Sequence, residues 1–333
     1  MSQSESVSLS DGLTIVFRPL AGEEDYAALA AIHEGSKEWD QIDPLSARES
    51  IPTAETLAAT FPFAEVRQHP DLLLATVEGQ VVGYVHVLWR WTEESGTRVY
   101  LHLGYLLPEW RGKGIGTAML MRAQNRIREL VASERPAGPI MLATNVSSTE
   151  READALMRKA GYIAVRRLSD MVRGNDAAPM RASLPQAAEV RPLETAHYRE
   201  IYAAWKDAFA GIMTSTPVSE EDYQEFIDTT FDVPGFDPSL CRVAWSGDQV
   251  TGFVVSRLRR GVAIIQEVAV RKAWQRRGLA RGLMAEVLQI LSEREVPQVR
   301  LFTDADDGQG ARSLYEALGF RELKQHIFYR RPL

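Results

Sequence analysis

The chain of 333 residues has a single cysteine, Cys241, which excludes an internal disulfide and a thiolate-rich metal site. It also lacks an excess of positive charge, because 38 Lys and Arg against 45 Asp and Glu give a net charge of −7. That balance disfavours non-specific binding to nucleic acid or anionic lipid. No apolar run approaches the roughly 18 residues of a membrane helix, and the Ser-rich start lacks the apolar core of a signal peptide. These absences predict a soluble, cytoplasmic protein without a membrane or nucleic-acid partner.

The length predicts two domains at about 150 residues each, and an internal repeat supports that division. Four segments recur in the same order, with separations of 173, 169, 164 and 158 residues: 17–20 at 190–193, 82–85 at 251–254, 110–116 at 274–280, and 160–162 at 318–320. Because the separation falls steadily, the two copies are collinear. We predict an N-terminal domain over 13–174, a linker over 175–188 and a C-terminal domain over 189–333.

Each copy predicts the same order of elements. A short strand and a helix precede a β-hairpin and a long central strand, and a glycine-bearing loop then opens a second amphipathic helix. A further strand, a helix and a final strand complete the copy. The predicted fold class is α/β (α+β), as two tandem units that each have a mixed, mostly antiparallel sheet flanked by helices.

The glycine-bearing loop, at 111–116 and again at 275–280, carries the chemistry. Backbone N–H groups in such a loop, together with the dipole of the following helix, attract an anion. Glycine allows a phosphate to approach closely, and basic side chains within both loops suit the same ligand. We predict a pyrophosphate cradle in each copy. Neither loop has the spacing of a P-loop or of a Rossmann fingerprint.

Both loops fit the pattern Q/R-x-x-G-x-G/A, and the sequence here resembles the GCN5-related N-acetyltransferase (GNAT) family, whose acyl-CoA signature is this loop. The segment Ala311–Phe320 is similar to the A-x-x-L-Y-x-x-x-G-F ending of the family. The resemblance extends over both copies and therefore over nearly the whole chain. It implies acetyl-CoA as the cofactor, no metal, and a GNAT fold in both copies.

In the C-terminal copy the resemblance implies roles for individual residues. The backbone of Val268, Ala269 and Val270 would pair with the pantetheine arm. The pyrophosphate would be wrapped by Gln275, Arg276, Arg277, Gly278, Leu279, Ala280 and Arg281. Tyr315 would protonate the leaving thiolate, for which a phenol with a pKa near 10 is suitable.

The attacking amine must be neutral, so a base or a water chain is required. Glu267, on the central strand beside the expected thioester, is the candidate base. Alternatively, Glu267 is a structural or substrate-orienting carboxylate, and Asp304, Asp306 or Asp307 supplies the base.

The N-terminal copy keeps the loop but lacks the presumed acid and base. Its cradle residues are Leu106, Arg111, Gly112, Lys113, Gly114, Ile115, Gly116 and Thr117. Met157 stands at the position of Tyr315, and a thioether cannot donate a proton. Leu103 stands at the position of Glu267, and the neighbouring His102 is interpreted as a core residue. This copy is expected to bind cofactor or to be purely structural, without catalysis.

The predicted function is acetyl-CoA-dependent transfer of an acetyl group to a primary amine of a small molecule, by direct attack with Tyr315 as general acid, in a monomer or homodimer. The tandem layout is also similar to the mycothiol synthases of this family, so acetylation of a cysteinyl amine is one alternative. Protein or peptide N-acetylation and a non-catalytic acyl-CoA sensor are the others.

Overall fold

The computed structural model describes residues 5–9, 12–66, 71–93, 95–174, 182–210, 219–306 and 310–333. They form two compact units. The first unit comprises Met1–Leu168 with Lys324–Leu333, and the second comprises Ser169–Leu323. The end of the chain therefore belongs to the first unit. The boundaries expected from the repeat stay a prediction, and residues 175–181 of the expected linker lie outside the described residues.

The first copy begins with two strands and three helices that lead to a hairpin. Its elements, in chain order, are β1 (Glu5–Ser8), β2 (Thr14–Arg18), α1 (Asp25–Ser36), α2 (Ala54–Thr60), α3 (Phe63–Val66), β3 (Leu72–Val77), β4 (Gln80–Thr92), β5 (Arg98–Leu106), α4 (Ile115–Glu134), β6 (Ile140–Ser147), α5 (Arg151–Lys159) and β7 (Ile163–Gly174).

The second copy repeats this order with β8 (Glu189–Arg191), α6 (Tyr198–Phe209), α7 (Glu220–Thr230), β9 (Arg242–Ser246), β10 (Gln249–Arg259), β11 (Val262–Val270), α8 (Leu279–Glu293), β12 (Gln298–Asp304), α9 (Ala311–Ala317) and β13 (Arg321–Pro332).

The sheet of the first unit has the strand order β1-β2-β3-β4-β5-β6-β13, and that of the second unit has the order β7-β12-β11-β10-β9-β8. The β5–β6 and β11–β12 pairs are parallel. The other pairings described are antiparallel, as in the hairpins β3–β4 and β10–β11. Helices flank both sheets, which confirms the predicted fold class of mixed, mostly antiparallel units.

In each unit the central strand separates from its parallel neighbour part-way along its length. Residues 263–265 of β11 pair with 299–301 of β12, and the described pairing stops there. In the first unit, 98–101 of β5 pair with 140–143 of β6. The later halves of β5 and β11 therefore present main-chain N–H and C=O groups at an edge that their parallel neighbour does not bind, which is the arrangement that accepts an added extended chain.

The helix after each glycine-bearing loop is fixed by an apolar face. In α8, Leu279, Leu283, Val287 and Leu291 recur every fourth residue and are buried against the sheet. The buried face of α4 has similar spacing, from Ile115 to Leu130. The packing holds the N-terminus of each helix, and hence the loop, in one place.

None of the helices in the described part of the chain combines the length and the hydropathy needed to span a bilayer.

Candidate active site

The loop of the second unit follows a 3₁₀ turn at Lys272–Trp274 and leads directly into α8. Arg276 and Gly278 both have left-handed backbone, with φ of 58° and 82°. Left-handed residues alternating along a loop let successive N–H groups converge on an anion. A Cβ built at Gly278 meets nothing within 4 Å, so the space beside the loop is open to a ligand.

The first residue of the motif closes this loop. Gln275 Nε2 donates to Val270 O at the end of β11, over 3.0 Å. In the first unit Arg111 Nε makes the same bond to Leu106 O, also over 3.0 Å. In both copies the first residue of the motif, Gln275 or Arg111, therefore links the loop to the end of the preceding strand by a side-chain hydrogen bond.

The first unit repeats the other features of the loop. Gly112 and Gly114 have φ of 73° and 86°, matching the two left-handed residues of the second unit. Lys113 Nζ lies 4.6 Å from the ring centroid of Trp110. The corresponding pair, Arg277 over Trp274, is separated by 5.4 Å. Stacking on the indole orients one cation of each loop.

Arg111 differs from Gln275 in what the rest of its side chain binds. Its guanidinium makes two hydrogen bonds of 2.6 Å to the carboxylate of Asp40 and approaches Glu152, in the first turn of α5, at 3.4 Å. Trp39 Nε1 donates to the other Glu152 oxygen over 3.2 Å. The guanidinium of Arg111 is thus engaged by carboxylates of its own unit.

Glu267 lies at a β-bulge on β11. Val255 of β10 pairs with Glu267, but the next residue of β10, Ser256, pairs with Ile265, so Gln266 is an extra residue in β11. A bulge re-aims the side chains beside it. Val255, the partner of Glu267, is buried in the cluster beneath α6 and α7, so Glu267 faces those helices.

Glu267 is half-buried, and its carboxylate accepts a hydrogen bond of 3.1 Å from Trp205 Nε1 on α6. Burial raises the pKa of Glu267 to about 7, and the hydrogen bond from Trp205 opposes that rise. A carboxyl group with a pKa near neutrality is suited to accept a proton from an amine.

The sequence pattern does not predict the contact between Trp205 and Glu267. The helices α1 and α6 both have 12 residues and begin 173 positions apart, so Trp205 corresponds to Ile32. The aligned sequences contain one indication of this contact. The second copy has an indole N–H and a carboxylate, Trp205 and Glu267, where the first copy has the aliphatic Ile32 and Leu103.

Tyr315 lies on α9, which begins after the left-handed Gly310. Its ring is 8% exposed, belongs to the cluster that includes α8, and lies 6.1 Å from the ring of Phe320. The structure therefore places Tyr315 on the α8 face of the sheet and Glu267 on the α6 face. Val268, Ala269 and Val270 follow Glu267 on β11.

Of the alternative bases, Asp304 ends β12 and Asp306 lies in the following turn. Asp307 lies outside the described residues.

In the first unit, ring side chains fill the face that corresponds to Glu267 and Trp205. Tyr105 stands opposite Tyr84, where the second unit has Ala269 opposite Phe253. His33 Nε2 lies 2.6 Å from Tyr84 Oη, and burial lowers the pKa of His33 to about 4.

Met157 and His102, the other first-unit residues compared with the second unit, are also buried. Met157 lies in the core beside α4, and its carbonyl accepts from the N–H of Tyr162, as that of Tyr315 accepts from Phe320. His102 is buried against Tyr162 Oη at 2.7 Å.

Comparison with known proteins agrees with this architecture. The acetyltransferase (GNAT) family model matches residues 36–162 and again 198–320. A mycothiol acetyltransferase of Nocardiopsis dassonvillei is 26% identical over 333 residues, covering 88% of this chain and 95% of that protein. Another, from Streptomyces scabiei, is 27% identical over 267 residues, covering 78% and 79%.

Two solved structures share the fold over nearly the whole chain. A GCN5-related N-acetyltransferase from Sphaerobacter thermophilus has a TM-score of 0.71 at 23% identity, covering 96% of this chain and 95% of that one. A tandem GNAT protein from the clavulanic acid biosynthesis pathway has a TM-score of 0.60 at 15% identity, covering 96% and 98%. The family implies use of acetyl-CoA. The predicted N-acetyltransferase is confirmed at the level of the family, and the chain belongs, as a tandem member, to the acetyltransferase (GNAT) family.

Proposed function

We propose that the second unit transfers the acetyl group of acetyl-CoA to a primary amine of a small molecule, with Glu267 as general base and Tyr315 as general acid. The observation that carries the proposal is the environment of Glu267. A bulge aims the carboxylate at α6, the indole of Trp205 binds it, and burial brings its pKa to about 7. A purely structural carboxylate on a strand needs none of these features.

The residues present fit acetyl-CoA. The unpaired edge at Val268, Ala269 and Val270 suits an extended, amide-bearing arm. The pyrophosphate would be held by the loop and first turn of α8, formed by Gln275, Arg276, Arg277, Gly278, Leu279, Ala280 and Arg281. The left-handed backbone and the open space beside Gly278 support this assignment.

When bound, acetyl-CoA supplies the acetyl group as a thioester. Glu267 takes a proton from the ammonium form of the acceptor, so that the neutral amine nitrogen can bond to the carbonyl carbon. Main-chain N–H groups of β11 stabilise the negative charge that develops on the carbonyl oxygen. The bond from carbon to sulfur would then break, and Tyr315 would donate its hydroxyl proton to the sulfur. The second proton of the former ammonium group would pass from the new amide nitrogen through solvent to the phenolate of Tyr315 and restore its hydroxyl.

We propose that the first unit is not catalytic. Met157 and Leu103 replace the acid and the base, and Tyr105 occupies space where the second unit has Ala269. Its loop, from Leu106 through Arg111, Gly112, Lys113, Gly114, Ile115 and Gly116 to Thr117, keeps the backbone geometry of a cradle. The ion pair between Arg111 and Asp40 competes with any phosphate for that guanidinium.

A cysteinyl amine is the second candidate acceptor. It is favoured by the Nocardiopsis mycothiol acetyltransferase, whose similarity extends over both halves of the chain.

A thiol-release assay with acetyl-CoA tests the proposal, using alkyl and aromatic amines, amino acids, aminoglycosides, cysteinyl amines and basic peptides as acceptors. We expect saturable release with a small amine and none with peptides. Release with peptides alone contradicts the proposed acceptor class. Saturable acetyl-CoA binding without release under any condition contradicts catalysis and favours a sensor.

A further inference from the structure

The bulge on β11 places two consecutive polar side chains on one face of the sheet. Neighbouring residues of a regular strand point to opposite faces, but Gln266 and Glu267 both point toward the helices α6 and α7. Glu267 reaches Trp205 on α6 at 3.1 Å. Gln266 Nε2 reaches the carbonyl oxygen of Thr229 on α7 at 3.4 Å. The extra residue is therefore beside the candidate base, on the same side of the sheet.

The two ends of the Gln266 amide differ in what surrounds them. Its Nε2 donates to Thr229 O, which fixes the orientation of the amide, because only the nitrogen can donate. Its Oε1 is buried and has no hydrogen-bond partner within the part of the chain that the structure describes. Buried carbonyl oxygens are nearly always hydrogen-bonded, so an unpaired one next to a base points to a ligand that supplies the donor.

The first unit shows that this arrangement is not a requirement of the fold. His102 corresponds to Gln266, but β5 is regular there, with His102 paired to Val87. The side chain of His102 consequently faces the other side of the sheet, where it binds Tyr162 Oη at 2.7 Å. The register shift of the β4–β5 pair lies on β4 instead, between Val87 and Trp89.

The surroundings of Gln266 and Glu267 are apolar. Trp205 packs against Phe226 and Phe209, with ring centroids 5.3 and 5.5 Å apart. Phe226 in turn packs against Phe231 at 5.7 Å. An amine substrate bound here would contact aromatic rings, the carboxylate of Glu267 and the side-chain oxygen of Gln266.

We propose that Gln266 determines acceptor specificity, with its Oε1 accepting a hydrogen bond from a hydroxyl or amide N–H that the acceptor carries close to its reacting amine. The inference rests on the proposed function and deepens it. The substrate class is a small amine with apolar surface and a second hydrogen-bond donor, such as an amino alcohol or an amino amide. An amine without that donor leaves the oxygen of Gln266 unpaired.

The test compares 2-phenylethylamine with its β-hydroxy analogue, 2-amino-1-phenylethanol, in the thiol-release assay. The unsubstituted chain is expected to favour the hydroxylated amine by roughly tenfold in kcat/KM, the size of one hydrogen bond to a buried group. Gln266→Met, similar in volume but unable to accept strongly, is expected to use both amines equally. The KM for acetyl-CoA should be unchanged, which shows that the variant is folded. Gln289→Met, the same change on the exposed side of α8, should keep the preference.

Equal use of the two amines by the unsubstituted chain overturns the inference, as does a preference that survives in Gln266→Met. A variant that loses acetyl-CoA affinity together with the preference also overturns it, because the role of Gln266 is then structural. Absence of thiol release with every amine, in the unsubstituted chain as well, contradicts the proposed function itself and removes the basis of this inference.

Discussion

Arg111 and Asp40 form a two-point ion pair, in which each terminal nitrogen of the guanidinium lies 2.6 Å from one oxygen of the carboxylate. Side-chain exposure is 15% for Arg111 and 4% for Asp40. The pair connects the glycine-bearing loop of the first unit to the segment after α1. Arg111 is a residue type that often binds phosphate, but in this unit its guanidinium stabilises its own loop.

Asp40→Asn should therefore destabilise the protein by about 3 kcal/mol, because it breaks a largely buried ion pair. The guanidinium of Arg111 then keeps only the longer contact of 3.4 Å with the partly exposed Glu152. Chemical denaturation followed by circular dichroism measures the loss. The control is Glu34→Gln, which removes an exposed i,i+3 pair with Lys37 at 3.5 Å and should cost less than about 0.5 kcal/mol. Equal losses for the two variants would show that the Arg111–Asp40 pair is no more than a surface contact.

Tyr315→Phe should lower kcat roughly a hundredfold or more, since in the proposed mechanism the hydroxyl of Tyr315 protonates the leaving thiolate. The KM for acetyl-CoA should change little, because the phenyl ring keeps its packing against Phe320 and the α8 cluster. Steady-state kinetics with a saturating amine separates the two constants. Met157→Leu, at the corresponding position of the first unit, should leave kcat unchanged. Full turnover in Tyr315→Phe would refute the role of general acid.

The proposed role of Glu267 as general base predicts how the reaction rate depends on pH. The base acts in its deprotonated form, so kcat/KM should rise with pH and level off above its pKa of about 7. Trp205→Phe removes a hydrogen bond that favours the charged carboxylate, so the rise should move to higher pH, by up to about one unit. Glu267→Gln should abolish this limb of the profile and most of the turnover. If neither substitution changes the pH profile of kcat/KM, Glu267 is not the base, and water, Asp304 or Asp306 accepts the proton instead.

Some of this site follows from the sequence alone, because local chemistry dictates it. The strands β5 and β11 both have nine residues, and each leads through a loop with two left-handed positions into a helix. A glycine at 114 and 278 and an apolar stripe behind it are sufficient to specify that joint.

The bulge and the contact between Trp205 and Glu267 do not follow from the sequence, because they depend on which strand of a hairpin carries the extra residue. The hairpins β4–β5 and β10–β11 share their register as far as Leu103 and Glu267, and then place the irregularity on opposite strands. The pairing of residues 326–332 with β6 in the first unit is equally inaccessible, since the repeat predicts that the last strand completes its own copy.

The left-handed glycine of the second loop allows the most direct test of cofactor binding. Gly278 has φ of 82°, and a Cβ there meets open space. Gly261, in the turn between β10 and β11, has φ of 79° and is equally open. Leucine at either position costs similar backbone strain, but only Gly278→Leu places a side chain where the loop would hold a pyrophosphate. Calorimetry with CoA should show affinity weakened roughly tenfold or more in Gly278→Leu and unchanged in Gly261→Leu. If both variants bind CoA as the unsubstituted chain does, the loop before α8 is not the cradle. If both lose affinity equally, the effect is one of folding, and thermal melting of the two variants will show the same loss.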